Sequence, residues 1–220
     1  MDSKSTYHYL SGFLTDERKV LFEKLIQFRT QYITVLLEDV YHPHNVNAVL
    51  RSSDCFGLCN IHVLESRYSY EESVRIARGS GKWTDVIRHH DISSAVGDLR
   101  SRGYRIVAAT PGEAAVSLRE LPIDQPFAII FGAEKRGLSA EAEGLADYSM
   151  HIPMQGFTES LNVSVAAALS LYELSWRVRN SHYPWQLSES EKYDLLVEWA
   201  MKSVRSADDL MRVYKEQHGK

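Results

Sequence analysis

The sequence predicts an α/β fold, a mostly parallel sheet with helices on both faces. Two observations carry this. Strand and helix patterns alternate from residue 32 to residue 180, the mark of βαβ units and a parallel sheet. The strand candidates, such as 32–37 (YITVLL) and 126–131 (PFAIIF), are nearly continuous apolar runs, as burial on both faces requires. A chain of 220 residues, 44% hydrophobic and 25% charged, suits one core domain with terminal appendages.

The elements follow in order. Residues 15–29 read as an amphipathic helix with Thr15 as N-cap and Val20, Leu21, Leu25 and Phe28 as its apolar stripe. A strand over 32–37 leads through a turn into a helix over 45–56 that stops at Gly57. Strands follow at 60–64 and 84–88, then a helix over 94–102 that ends at Gly103. Further strands are expected at 104–109, 126–131 and 148–152, with a short helix over 139–146 between the last two. A long helix over 160–180 closes the core, and one polar amphipathic helix over 188–217 ends the chain. Boundaries near 30 and 183 divide the chain into an N-terminal helical extension (1–30), a core (31–183) and a C-terminal helical extension (184–220).

Composition excludes several classes. Two cysteines, Cys55 and Cys59, cannot make a disulfide scaffold. No apolar run is long enough to span a bilayer, and the N-terminus lacks the apolar core of a signal peptide. A cytoplasmic protein with no membrane partner is expected. The net charge of −4 is not that of a wholesale electrostatic nucleic-acid binder, so any RNA contact is confined to a local basic patch. Gly79, Ser80, Gly81 and Lys82 imitate the end of a phosphate-binding loop, but Ile76 stands where its first glycine belongs and Trp83 where its Ser/Thr belongs. The cysteines and nearby histidines fit no zinc spacing, and no metal is expected.

Three segments carry candidate chemistry, each at the carboxyl end of a strand or on the helix after it, where open α/β sheets bind ligands. In the first, 44–51, Val46, Val49, Leu50 and Ser53 share one helix face, with Asn47, Arg51 and Asp54 on the other. Asn45 can cap this helix and leave its N–H groups for a phosphate. Arg51 is either a ligand-facing cation or half of a surface pair with Asp54. In the second, 131–139, Gly132 and Gly137 bracket a charged loop that contains Glu134. It is either a loop moulded round a ligand or an ordinary strand–helix connection with Ser139 as cap. In the third, 152–164, Ser160, Asn162 and Ser164 open a helix that is apolar on nearly every face. They form a site, or Ser160 is the cap and Asn162 is solvated.

Together the segments resemble the SpoU/TrmH branch of the SPOUT RNA methyltransferases. Asn45, Arg51 and Gly57 match its first motif. Phe131 to Gly137 reads as F-G-x-E-x-x-G, and 152–166 contains I-P-M and then S-L-N-V-S-x-A. All three occur in order, and the stretch Leu37, Glu38, Asp39, Val40 is similar to the TrmH subgroup, which methylates the ribose 2′-OH of guanosine 18 in tRNA.

The resemblance implies a deep trefoil knot, S-adenosylmethionine as methyl donor, and a homodimer through the knot and the helix over 161–176. It places the donor against Ala109 and Thr110, the loop Gly132 to Gly137 with Glu134, and the stretch Ile152 to Leu161. It gives Arg51 the catalytic role, with Asn45, Glu134, Ser160 and Asn162 positioning groups at the methyl-transfer site. The expected reaction is 2′-O-methylation of tRNA. Ribosomal RNA as substrate, and an inactive RNA-binding dimer, are the alternatives. Candidate RNA contacts are Arg75, Arg78 and Lys82, Arg18 and Lys19 on the first helix, and Arg177 and Arg179 after the knot; each can also belong to a solvated charged face.

Overall fold

The computed structural model describes residues 2–67, 79–112, 115–134 and 136–218. It divides into two units. Residues 30–185 form the larger, and residues 1–29 with 186–220 form the smaller.

The larger unit holds a seven-stranded sheet in which every pair is parallel. The strands are β1 (Ile33–Glu38), β2 (Asn60–Leu64), β3 (Asp85–His89), β4 (Arg105–Ala109), β5 (Val116–Ser117), β6 (Phe127–Phe131) and β7 (Tyr148–His151), in the spatial order β3-β2-β1-β6-β4-β7-β5. The two-residue β5 is too short to leave a sequence pattern.

The helices are α1 (Ser3–Ser11) and α2 (Asp16–Ile26) in the smaller unit, then α3 (Pro43–Cys55), α4 (Ile92–Ser101), α5 (Ala140–Gly144) and α6 (Val163–Arg179) around the sheet. The helices α7 (Glu189–Met201) and α8 (Ala207–His218) return to the smaller unit. Strand alternation decides which layer each residue joins. Ile33, Val35 and Leu37 of β1 pack with Val46, Val49 and Leu50 of α3 and with Ala167, Leu171 and Leu174 of α6. Leu36, on the opposite face, joins Ile92, Ala95 and Leu99 of α4 and Ala142 of α5. Both faces of the sheet are therefore covered.

Three expectations are corrected in these elements. The buried side chains of α2 are Phe22 and Ile26, while Val20, Leu21, Leu25 and Phe28 are exposed. Phe22 and Ile26, at i and i+4, define a different stripe, and Phe22 meets the Trp199 ring edge-on at 5.2 Å. The final helix is two: the α-ladder stops at Lys202, and Ser206 takes a left-handed φ of 57° before α8 starts. Helix α1 lies in the part of the N-terminal helical extension ahead of residue 15, where no helix was read; Asp2 caps it by accepting from Ser5 N at 2.8 Å.

His62 on β2 is buried, and its Nδ1 lies 2.8 Å from Nε2 of His89 on β3. An Asp98 oxygen stands close to both; the imidazoles bond each other, and Asp98 pairs with Arg102 at 2.9 Å. Burial, helped by His89 and Arg102 and opposed by Asp98, pushes the His62 pKa down to about 4. The unfolded chain takes up this proton near pH 6.5 and the folded chain only near 4. Stability from this group is therefore level above pH 6.5 and falls as pH drops, by about 2 kcal/mol at pH 5. Denaturant midpoints measured between pH 7 and pH 5 should show this slope, and His62→Gln should flatten it; an unchanged slope in the variant would refute the assignment.

Candidate active site

The strands β6, β4 and β7 are neighbours, and the loops at their carboxyl ends surround a cavity of about 640 Å³. That volume lies in the range of small-molecule sites. Ala109, Thr110, Gly132, Glu134, Gly137, Ile152 and Leu161, expected to bind the methyl donor, all line it, and so does Ser160. Pattern reasoning passed over Pro111 and Gly112, which also line it; the proline and glycine after β4 were the available signal.

The loop after β6 folds back on itself. Gly137 N donates to Ala133 O at 2.8 Å, and Gly137 has a φ of 67°. A Cβ on Gly132 would lie 2.2 Å from both C and O of Gly137 and 2.4 Å from Leu138 N. Backbone alone thus forms this wall, as close approach to a ligand requires. Two successive acids at the end of β1 hold the surrounding loops. Buried Glu38 accepts from Ser139 N at 2.9 Å and from Ser139 Oγ at 2.5 Å. Asp39, at a left-handed φ of 46°, accepts from the backbone N–H groups of Ser66 and Arg67 at 2.9 and 3.0 Å.

The three segments meet through side chains. Asn45 Nδ2 donates to Glu134 Oε1, and Asn162 Nδ2 donates to Asn45 Oδ1 at 3.4 Å. Asn45 is buried but does not cap α3, contrary to expectation. His42 is the capping residue, because Pro43 fits the first helical position and starts the helix earlier. Asn45 falls inside the first turn, which frees its amide for Glu134. Asn47 is also buried, not exposed beside Arg51; its Nδ2 donates to Pro43 O at 2.7 Å. In the third segment Asn162, not Ser160, caps α6, and its Oδ1 accepts from Ser164 N at 2.9 Å.

Arg51 sits six residues beyond Asn45, about 9 Å along the helix and about 120° round it. It is exposed, does not line the cavity, and makes no hydrogen bond or ion pair among the described residues. The surface pair with Asp54 is therefore not formed.

The basic candidates separate. Arg75 and Arg78 lie outside the described residues. Lys82 places its ammonium 4.9 Å from the Trp83 ring centroid. On α2, Lys19 pairs with Asp16 at 3.3 Å and Arg18 lies over Phe22 at 5.9 Å. Arg177 and Arg179 are turned inward, against expectation. Arg177 donates to the carbonyls of Leu118 and Leu121 at 2.9 and 2.7 Å, and Arg179 donates to Phe56 O at 2.8 Å. Burial pushes both pKa values down. They are staples for loop carbonyls, and the missed signal was their place in the last turn of a buried helix.

Seven parallel strands with a glycine-walled cavity at their carboxyl edge define an open α/β protein whose cavity lies where that class of fold binds ligands. Residues 32–172 match the SpoU rRNA methylase family, and the chain belongs to that family. It is 38% identical over 197 residues to the tRNA (guanosine(18)-2′-O)-methyltransferase of Borreliella burgdorferi, covering 90% of each chain. Against the enzyme of the same name from Thermus thermophilus the identity is 37% over 190 residues, 86% of this chain and 98% of that one. Among solved structures, the A. aeolicus TrmH/SpoU tRNA modifying enzyme superposes with a TM-score of 0.77 at 29% identity, over 87% of this chain and 98% of that one. The SpoU methyltransferase AviRb from Streptomyces viridochromogenes, in complex with AdoMet, gives a TM-score of 0.61 at 26% identity over 72% and 62%.

Proposed function

We propose that the protein methylates the ribose 2′-OH of guanosine 18 in tRNA, with S-adenosylmethionine as donor, in the cytoplasm. The observation that carries this is the hydrogen-bonded chain Asn162–Asn45–Glu134, which joins all three motif segments beside one cavity. The cavity suits the donor: its Gly132 wall has no room for a Cβ, and Phe131, Met150, Ile152 and Leu161 supply apolar surface for a purine.

Bound there, the donor supplies an electrophilic methyl group. The chain's own residues must favour the 2′-alkoxide, since a free hydroxyl is a poor nucleophile. A guanidinium is a poor general base, so Arg51 stabilises the developing oxyanion and does not take the proton. The proton leaves to water or phosphate. Glu134 accepts from Asn45 and fixes its amide, Asn45 in turn accepts from Asn162, and Ser160 offers its hydroxyl at the cavity wall. The reading includes the trefoil knot, with the loops after β6 and β7 as its returns. The likeness of the three motif segments to the SPOUT methyltransferases supports it, and a crystallographic chain trace through residues 132–163 tests it.

The assay is methyl transfer to tRNA and to ribosomal RNA transcripts, with the modified position mapped by resistance to alkaline cleavage. Protection at guanosine 18 is expected; methylation confined to ribosomal RNA would overturn the tRNA assignment.

A homodimer through α6 belongs to the same reading. One face of α6 packs on the sheet, while Leu161, Val165, Leu169, Tyr172 and Trp176 form a stripe 37–64% exposed. A contiguous apolar stripe of this kind needs cover, and a second copy supplies a matching one. Sedimentation should give a dimer at micromolar concentration and a monomer for Leu169→Asp. A wild-type monomer would refute this.

A further inference from the structure

We infer that Glu159 and Phe157 read the base of the target nucleotide, selecting guanine by its paired donors; the inference rests on the methyl-transfer function proposed above. Two carboxylates line the cavity, Glu134 and Glu159. Glu134 is held by Asn45, whereas exposed Glu159 has no hydrogen-bond or ion-pair partner among the described residues. No lysine or arginine stands among the described lining residues to neutralise it. It directly precedes Ser160, and both residues line the cavity.

An ionised carboxylate only accepts hydrogen bonds, through two oxygens. Guanine alone among the four bases sets two donors side by side on its Watson–Crick edge, the N1–H and the 2-amino group. Adenine, cytosine and uracil each place an acceptor next to their donor there, which a carboxylate repels. Phe157 adds the second half. It stands at the bend before Thr158 with its ring fully exposed, although Gly156 and Thr158 on either side line the cavity. A nucleotide drawn out of the RNA stack needs a replacement face, and a rim aromatic provides it.

The test uses tRNA transcripts with guanosine or inosine at the target, since inosine lacks only the 2-amino group. Wild-type kcat/KM should be about 10–100-fold lower on inosine, the range for a hydrogen bond to a charged group. Glu159→Gln should lose about as much on guanosine, and its guanosine-to-inosine ratio should fall towards one. Its melting temperature should stay as in the wild type, and any loss of affinity for S-adenosylhomocysteine should be small beside the loss on guanosine. Phe157→Ala should raise KM for RNA about tenfold, with sedimentation unchanged and Phe157→Tyr restoring it. A wild-type ratio in Glu159→Gln overturns the inference, and so does a loss of S-adenosylhomocysteine affinity in its place. A change of oligomeric state in Phe157→Ala assigns the ring to a subunit contact and overturns its half. A wild type equally active on both bases overturns the inference alone; one that methylates no guanosine RNA overturns the proposed function as well.

Discussion

Arg51→Ala is expected to lose roughly 10²–10⁴ in turnover, the range for removing oxyanion stabilisation or proton-transfer help. The structure sharpens this. Arg51 is exposed and makes no ion pair or hydrogen bond among the described residues, so its removal should change stability by less than about 0.5 kcal/mol. It does not line the cavity, so S-adenosylhomocysteine affinity should stay the same. A side chain without structural employment, on the helix that carries Asn45, is free to meet the RNA that the proposed function requires. Arg51→Lys should also be poor, because a point charge cannot reproduce a planar fork that holds phosphate and 2′-oxygen together. Single-turnover methylation at saturating RNA, run beside a thermal melt, measures both parts. Near-normal chemistry in Arg51→Ala would remove the central residue of the mechanism.

Gly132→Ala should damage the donor site itself. The added carbon meets backbone atoms of Gly137 and Leu138 at 2.2–2.4 Å, and backbone cannot rotate away as a side chain can. The loop must open, at a cost of about 3 kcal/mol, the upper part of the usual overpacking range. An ångström of displacement in a ligand wall is worth about a hundredfold in function, and S-adenosylhomocysteine binding by calorimetry should fall by about that factor. Gly137→Ala is the informative contrast. Nothing stands within 4 Å of its Cβ position, so only its φ of 67° opposes the substitution, at about 1–2 kcal/mol. Equal effects at the two positions would show that conformation, not close approach, governs the loop.

The sheet was legible because parallel strands buried on both faces write nearly continuous apolar runs, and 32–37 and 126–131 stand out against any background. The errors arose where local pattern competes with tertiary placement. On α2, Val20, Leu21 and Leu25 make as good a stripe as Phe22 and Ile26 until the Trp199 ring decides which is buried. Ser188 to Gln217 reads as one helix because its composition hides the left-handed Ser206. The lining of the cavity was legible through motif resemblance and strand ends. The direct contact of Asn45 with Glu134 was not, because no local signal connects residues 89 positions apart. Arg177 and Arg179 misled because an inward-turned arginine is the same letter as an RNA-facing one, and only the carbonyls of Leu118, Leu121 and Phe56 reveal the difference.

The bond from Asn45 to Asn162 closes a loop of 117 residues, and this has a consequence for biosynthesis. Contacts of such separation form late, since their closure entropy precedes any reward. At about 5–20 residues per second on the ribosome, the first motif emerges many seconds before its partners. No nascent fragment that stops short of residue 162 holds the complete site, so competence arrives only with nearly the whole core. Once assembled, a ligand that binds the native site favours the native state over the unfolded one by mass action. Under the proposed function the donor is such a ligand for the larger unit, and added S-adenosylhomocysteine should slow its proteolysis.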